Sequence, residues 1–152
     1  MSDSSSIKIF ASNRKATFQY ILIEKYEAGI SLLGSEVKAI REGRVNIKES
    51  YVKIIENEFF ITGMNIGDYS HKGYSNHNPT RERKLLLHKG EILKIIKDVN
   101  IKGNTIIPLK IYLKNGKIKI RIAIAKGKKV WDKRQSLKEK DIKRKLDRVI
   151  RS

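Results

Sequence analysis

Positively charged side chains dominate the chemistry that this sequence offers. The chain has 152 residues, and its 34 Lys and Arg against 16 Asp and Glu leave a formal net charge of +18. This excess is far larger than solubility requires, so it predicts a polyanionic partner, with nucleic acid as the first candidate. An anionic membrane surface is the second candidate, but it requires an amphipathic helix with exposed large apolar residues, and most of the basic charge lies elsewhere.

The segment AKGKKVWDKRQSLKEKDIKRKL, residues 125–146, combines this charge with the only tryptophan of the chain. An indole ring can stack on a nucleobase, which is worth about 1–3 kcal/mol per base in single-strand binders. Lys133 and Arg134 beside Trp131 could hold phosphates. The alternative is that Trp131 folds back onto the globular part of the chain.

The residues from 126 onward form a basic tail. They include twelve Lys and Arg against four Asp and Glu, and too few apolar residues to join a core over their whole length. Ser136 and Glu139 fit a capping box, and Ile142 and Leu146 recur at helical spacing. We expect a tail that is disordered alone and becomes helical when phosphates neutralise it; an ordinary solvated C-terminal helix is the alternative.

Catalytic patterns find little support. His71, His77 and His88 have no carboxylate at a metal-ligand spacing, and no phosphate-loop or serine-hydrolase motif occurs. Cysteine is absent, which excludes disulfides and a thiolate nucleophile. Glu24 and Glu27 could flank a substrate, but on so basic a surface the first interpretation is that they tune nucleic-acid contacts or form ion pairs. We therefore expect no catalytic residue, no metal and no cofactor.

Short strands interrupted by short helices follow from the apolar pattern. Residues 18–26 favour a strand that is broken at Gly29. Ser35 is typical of a helix N-cap, before about two helical turns that end at Gly43. Residues 50–64 predict a hairpin with Glu56 and Asn57 at its turn.

The middle of the chain reads as a loop followed by two helices. Residues 65–79 are polar and rich in Gly and Asn, which indicates a loop. Asn78 and Pro79 are typical of a helix start, so we expect a helix until Gly90. Residues 91–99 place Ile and Val at the i, i+3, i+4, i+7 spacing of an amphipathic helix.

A second hairpin is predicted at residues 105–125, around the Asn115–Gly116 turn. This turn places Lys114 opposite Lys117, Tyr112 opposite Lys119, and Lys110 opposite Arg121, all facing away from an apolar face. The apolar face would consist of Leu109, Ile111, Leu113, Ile118, Ile120 and Ile122. Like charges placed opposite each other destabilise a sheet, so a binding role for the cationic face is the first interpretation, and a solvated strand face is the alternative.

The predicted fold is mainly β with short helices: a small β-barrel of the oligonucleotide-binding type plus the basic tail. The first residues lack the apolar stretch of a secretion signal, and no apolar run reaches the length of a membrane span, so we expect a cytoplasmic protein.

Four blocks of sequence together resemble one family. They are NRKA near the start, YEAGISLLGSEVKAIREGRVNIKESYV, NPTRERKLLLHKGEI and AKGKKVWDKR. In that order and spacing they are similar to small protein B, the SsrA-binding proteins of bacteria, from about Asn13 to the C-terminus. The resemblance implies three parts: a flexible N-terminus (1–12), an RNA-binding barrel (13–125) and a basic tail (126–152).

The resemblance also implies a function and partners. A member of this family is an RNA-binding adaptor, not an enzyme, that binds the tRNA-like domain of transfer-messenger RNA and accompanies it to stalled ribosomes for trans-translation. The tail would occupy the decoding centre and the empty messenger channel. Elongation factor Tu and alanyl-tRNA synthetase would be partners only through the RNA, and we expect a monomer with no membrane contact.

Site residues are carried over where the motifs match. The positions on the RNA-binding side would be Asn13, Arg14, Glu27, Gly34, Glu36, Lys38, Arg83, Lys84 and Leu86. To these we add four cations, Lys119, Arg121, Lys126 and Lys128. The ribosome-binding positions would be Trp131, Asp132, Lys133, Arg134, Lys138, Arg144 and Lys145.

Several of these assignments keep an alternative. Glu27 and Glu36 are acids, so they could accept hydrogen bonds from base or ribose donors but could not contact phosphate. Glu36 could equally serve as a helix cap or an ion-pair partner of an arginine. Gly34 would allow close backbone approach, or merely a turn. His88 stands where the family often has a small polar amide, which weakens any specific hydrogen bond there.

Two other functions remain open at the level of sequence. An RNA-processing enzyme with a basic channel would change its RNA chemically, whereas an adaptor would leave it intact. A small structural protein of the ribosome would copurify with ribosomal subunits under all growth conditions rather than with one free RNA.

Overall fold

The computed structural model describes residues 7–70, 77–101, 103–128, 140 and 142–144. In chain order the elements are β1 (Lys8–Ser12), α1 (Ala16–Gln19), β2 (Tyr20–Ile30), α2 (Gly34–Arg41), β3 (Val45–Asn46), β4 (Tyr51–Ile55), β5 (Glu58–Thr62), β6 (Asn65–Ile66), β7 (Arg83–Leu86), α3 (Lys89–Val99), β8 (Asn104–Lys114) and β9 (Lys117–Gly127).

Six strands close on themselves through antiparallel pairing. The order runs β8, β4, β5, β7, β2 and β9, and β9 pairs back onto β8. Strand β1 pairs with the edge of β8 that does not face β9. It lies beyond the point on this edge where Val52 of β4 is opposite Ile106. The prediction of a small, mainly β barrel with short helices is confirmed.

Isoleucine fills most of the interior of this ring. Strand β9 contributes Ile120, Ile122 and Ile124, none of which has exposed surface. Burial of such β-branched side chains on a pleated surface provides most of the driving force for folding. Helix α3 packs against the same core with Ile95 fully buried and Ile92, Ile96 and Val99 partly buried, while Leu93 is exposed. The predicted amphipathic helix is confirmed.

A bulge in β8 sends two residues to a second, smaller apolar cluster. The register between β8 and β9 shifts between Pro108 and Lys110. Leu109 therefore packs beside Ile107 and Ala16 of α1 instead of lining the main core. The prediction that Leu109 shares a face with Ile111 was wrong. One extra residue in a strand turns the side chains before it to the opposite face of the sheet.

Both hairpins form as predicted. Glu56 and Asn57 connect β4 to β5, and Asn115 and Gly116 connect β8 to β9. All four turn residues have positive φ, the conformation that a two-residue hairpin turn of this type requires.

The helix predicted at residues 78–90 was wrong. Asn78 does accept a hydrogen bond from the backbone N–H of Thr80 (3.1 Å), but this closes a turn and no helix follows. Residues 83–86 form β7, with Arg83 and Leu85 buried and the alternate residues exposed. This strand fills the position between β5 and β2, so sheet pairing outweighs the local helix signal.

Four smaller differences concern element boundaries. Phe18 lies in α1, and β2 continues through Gly29 to Ile30, because β7 and β9 pair on its two sides there. Ser35 lies inside α2, whose N-cap is Leu33. The predicted loop at 65–79 contains the short strand β6.

Two predictions concern the rest of the chain. No helix within the described ranges is long and apolar enough to span a bilayer. In the tail, residues 140 and 142–144 have helical backbone. The other tail positions of the predicted helix lie outside the described residues.

Candidate nucleic-acid interface

One row of side chains crosses five strands on the outside of the barrel. Leu86 is opposite Gly29, Gly29 is opposite Lys119, Lys119 is opposite Tyr112, and Tyr112 is opposite Ile9. Residues directly opposite each other in antiparallel strands share a face of the sheet, so all five lie on one surface. We call this surface, together with the next row, the outer sheet face.

The next row carries most of its charge. Glu27 is opposite Arg121, Arg121 is opposite Lys110, and Lys110 is opposite Ser12. Near the hairpin turn, Lys114 is opposite Lys117. The three cross-strand pairs predicted from the Asn–Gly turn are therefore confirmed in register.

An acid lies among these cations. Glu27 Oε2 accepts a hydrogen bond from the phenol of Tyr112 and one from Lys114 Nζ (3.4 Å), and lies 3.9 Å from Arg121 Nη2. The hydrogen bond from Tyr112 lowers the pKa of Glu27, and the charges of Lys114 and Arg121 lower it further. The opposition of like charges across the hairpin is thus relieved from the neighbouring strand β2.

Tyr112 is buried although it faces outward. Only 1% of it is exposed, and Lys110 Nζ lies 5.5 Å from the centroid of its ring. Burial, with the hydrogen bond to Glu27, raises the pKa of Tyr112 to about 12. The tyrosine predicted on the cationic face of the hairpin is therefore present, and the structure adds a carboxylate from β2 that partners it.

Near Glu27, Gly29 leaves a gap between the side chains of the outer sheet face. A Cβ on Gly29 would lie 3.3 Å from Leu86 Cβ, closer than most real contacts of this kind. Leu86 is 53% exposed, so the outer sheet face offers one apolar contact next to the partly exposed Lys119. Such a place suits a nucleobase better than a phosphate.

The first matched motif, at residues 13–16, has a clear structural role. The backbone N–H of Asn13 donates to the carbonyl of Leu109 (2.7 Å), and its side-chain amide donates to the carbonyl of Pro108 (3.3 Å). These bonds hold the bulge of β8. Arg14 is exposed.

The start of the tail is fastened to α1. The backbone N–H of Lys128 donates to the carbonyl of Gln19 (3.0 Å), and its Nζ donates to that of Thr17 (2.9 Å). Lys126 is exposed as the next-to-last residue of β9. The point where the tail leaves the barrel is therefore fixed by α1.

Helix α2 presents a separate exposed surface. Gly34 is its first residue, and Lys38 lies one turn later with Nζ 5.6 Å from the ring centroid of Tyr69. Both Gly34 and Lys38 are exposed.

Glu36, by contrast, is completely buried within a network of arginines. Its Oε1 accepts hydrogen bonds from the backbone N–H of Leu33 (2.8 Å) and from Arg81 (2.5 Å). Its Oε2 accepts from Nε of Arg83 (2.5 Å). Both structural alternatives considered for Glu36, the helix cap and the ion pair, are present at once.

Arg83 is also completely buried. Besides Glu36, its donors reach the carbonyls of Met64 (3.0 Å), Pro79 (3.2 Å) and Asn78 (3.3 Å). Burial raises the pKa of Glu36, but the hydrogen bonds from Arg81, Leu33 and Arg83 outweigh it, so that the pKa is lowered overall. Because its donors are taken up inside the protein, Arg83 is not placed to contact a phosphate.

The remaining positions of that motif differ in exposure. Lys84 is exposed, with Nζ 3.4 Å from a carboxylate oxygen of Glu58. His88 is exposed at the start of α3, where its backbone N–H donates to Glu91 (3.2 Å). His77, one of the three histidines without a carboxylate at a metal-ligand spacing, is buried between the hydroxyl of Ser35 and the carbonyl of Ile66, both at 2.8 Å.

The structure thus brings only part of the predicted set together. The outer sheet face contains Glu27, Leu86, Lys119 and Arg121. Asn13, Arg14, Lys126 and Lys128 lie around α1, Gly34 and Lys38 lie on α2, Lys84 lies at the exposed side of β7, and Glu36 and Arg83 are internal. Arg144 is helical and exposed. The other positions predicted to bind the ribosome lie outside the described residues: Trp131, Asp132, Lys133, Arg134, Lys138 and Lys145.

The sequence reasoning missed one contact and one residue. The facing of Tyr112 and Lys114 was predicted, but their contact with Glu27 depends on β2 pairing with β9, which no local pattern specifies. Arg81 was missed because its motif was predicted to be helical. Within the described ranges, no group of three or more His, Asp or Glu is placed to hold a metal ion.

Comparison with known proteins gives consistent matches. The family model described as "SmpB protein" matches residues 10–152. A relative from Persephonella marina named SsrA-binding protein is 55% identical over 142 residues, which is 93% of each chain. One from Clostridium tetani, with the same name, is 49% identical over 96% of this chain and 94% of its own.

A solved structure is also similar. It is described as "tmRNA-SmpB: a journey to the center of the bacterial ribosome", and its matching chain is 40% identical with a TM-score of 0.66. The match covers 79% of this chain and 85% of that one.

The buried network generates a prediction about stability. Replacing Arg83 by Met should lower the free energy of unfolding by about 3–5 kcal/mol, because it leaves part of the charge of the buried Glu36 carboxylate without a partner. Urea denaturation measures this loss. The matched control is Lys84→Met on the same strand, which removes only an exposed ion pair and should change stability by less than about 1 kcal/mol. Equal effects of the two substitutions would contradict the structural role of Arg83.

Proposed function

Because the chain belongs to the SmpB protein family, we propose that it is an RNA-binding adaptor of trans-translation. It binds the tRNA-like domain of transfer-messenger RNA and delivers this RNA to stalled ribosomes. The observation that carries the proposal within the fold is the outer sheet face, where cations, a carboxylate and an exposed leucine surround a glycine. Phosphate, base and ribose contacts each find a suitable chemical group there.

The barrel and the tail have different tasks in this proposal. The outer sheet face and the cations around α1 bind the RNA, while Glu36 and Arg83 act indirectly by holding α2 against β7. The tail, from residue 126, enters the decoding centre and the messenger channel, with Trp131 stacking on a base and Lys133 and Arg134 contacting phosphates.

The remaining partners follow from the RNA. Elongation factor Tu and alanyl-tRNA synthetase recognise the same RNA, so they meet this protein only through it. The protein acts as a monomer, changes no covalent bond in its RNA and works in the cytoplasm, where ribosomes translate. Support for an adaptor comes from the family and from the ribosomal context of the similar structure.

Truncation tests the division of labour between barrel and tail. A chain ending after Lys128 should bind the tRNA-like domain with nearly the affinity of the full chain, because its matched RNA-facing positions all remain. The cut follows Lys128 because this residue is fastened to α1. Filter binding at increasing salt should show affinity falling steeply, since Lys and Arg release counterions from the phosphates. Loss of binding on truncation would contradict the assignment.

The tail itself is tested through Trp131. Trp131→Ala should leave binding to the free RNA nearly unchanged but reduce peptide tagging on stalled ribosomes in a reconstituted translation system. Trp131→Phe is the matched control and should retain much of the tagging, because stacking requires an aromatic face more than an indole N–H. If Trp131→Ala weakened RNA binding and tagging equally and also destabilised the barrel, the ring would belong to the core.

A further inference from the structure

Three donors converge on a single oxygen of Glu27. The phenol of Tyr112, Nζ of Lys114 and Nη2 of Arg121 all approach Oε2. Among the described residues, none donates a hydrogen bond to the other oxygen, Oε1. A carboxylate can accept about four hydrogen bonds, and the side chain of Glu27 is 28% exposed. One oxygen is thus held by the protein, and the other remains available to a ligand.

Of the three donors, Tyr112 is the fixed one. It is 1% exposed, and Lys110 Nζ lies 5.5 Å from the centroid of its ring. Lys114 and Arg121 are 32% and 35% exposed, and their longer side chains can turn towards a phosphate when RNA arrives. The orientation of Glu27 in an RNA complex therefore depends mainly on the hydrogen bond from Tyr112.

The surroundings of Oε1 indicate what kind of group it would meet. Gly29 follows Glu27 by two residues on the same face of β2. Because it has no side chain, it leaves a gap between Leu86 and Lys119. A carboxylate repels phosphate, so phosphates are left to Lys119 and the other cations of the face. The gap at Gly29 fits the flat face of an unpaired base. Such a nucleotide has hydrogen-bond donors on its base edge and on its ribose.

We propose that Tyr112 is a positioning residue for RNA recognition: its phenol holds Glu27 so that Oε1 accepts a hydrogen bond from an exocyclic base amine or a ribose hydroxyl of an unpaired nucleotide lying over Gly29. This proposal rests on the proposed function and deepens it. The alternative is that Glu27 only neutralises the cations of the hairpin, in which case its oxygens have no ligand.

Tyr112→Phe is the first test, because it removes the phenol and keeps the ring. Affinity of the full chain for a transcript of the tRNA-like domain should fall about tenfold, the usual size of an effect from a hydrogen bond to a charged group. The matched control is Tyr26→Phe, a buried tyrosine of β2 that is absent from the contacts of Glu27 and should leave affinity unchanged. Thermal unfolding of both variants shows that the barrel persists.

A double-mutant cycle with Glu27→Gln separates positioning from general stability. Glu27→Gln should weaken binding at least as much as Tyr112→Phe, and the double variant should be no weaker than Glu27→Gln alone. Glu27→Gln also keeps the proposal testable if Tyr112→Phe does not fold. Full RNA affinity in Glu27→Gln would establish the neutralising role and overturn the proposal.

The pH dependence of RNA binding distinguishes a positioning role of Tyr112 from a purely structural role. A purely structural tyrosine would leave this dependence unchanged on substitution. The groups facing Glu27 are Tyr112 and Lys114 of β8 and Arg121 of β9, and Tyr112 contributes most to its lowered pKa. Affinity that depends on ionised Glu27 is present above its pKa and lost as pH falls through it. In Tyr112→Phe this pKa rises, so between about pH 8 and about pH 4 the loss should begin at a higher pH than in the wild type. An unchanged profile would contradict the proposal.

Modified transcripts identify the donor. Replacing unpaired guanosines by inosine, adenosines by purine riboside and cytidines by pyrimidin-2-one riboside, one at a time, removes the exocyclic amine. Replacing single riboses by deoxyribose removes the hydroxyl. At one nucleotide, one of these changes should weaken binding to the wild type about tenfold and leave binding to Glu27→Gln unchanged. If no single modification depends on Glu27, no base amine or ribose hydroxyl is read and the proposal fails, while wild-type binding to the transcript keeps the proposed function intact. Absence of wild-type binding would instead refute the proposed function.

Discussion

Pairing of β9 on both of its sides is the constraint on which the rest of the structure depends. Its partner on one side is β8, joined by the Asn–Gly turn, and on the other side β2, which lies far away in the sequence. Alternation along β9 then places its isoleucines in the core and Lys119 and Arg121 outside. The same pairing closes the barrel and brings Glu27 of β2 beside the cations of the hairpin.

A strongly basic chain also needs its few acids at particular places. Glu36 is buried between Arg81 and Arg83 and joins α2 to β7, and Glu27 lies among the cations of the outer sheet face. Both carboxylates have a lowered pKa because cationic or hydroxyl donors surround them. The first stabilises the fold, and the second belongs to the surface that we propose binds RNA. Their different exposure, rather than their charge, distinguishes these roles.

Turn residues and hydrophobic periodicity correctly predicted the elements that depend only on residues close together in the sequence. Both hairpins, the helix at 89–99 and the facing of Lys119 and Arg121 required only turn residues and periodicity. The strand at 83–86 was missed because Asn78 and Pro79 imitate a helix start, and pairing with β5 and β2 decides its conformation. The partnership of Glu27 with Tyr112, and the burial of Arg83, likewise depend on strands distant in sequence, which one sequence alone does not specify.

Sequencing the RNA that copurifies with this protein is the sharpest test of our proposal that the outer sheet face selects one RNA. Lys119→Gln is the informative variant, since Lys119 has no acidic partner among the described residues, and Lys97→Gln on α3 is its matched control. We expect one dominant species with a tRNA-like end, bound to the wild type and to Lys97→Gln but depleted with Lys119→Gln. Bulk ribosomal RNA recovered equally with all three proteins would contradict the proposal.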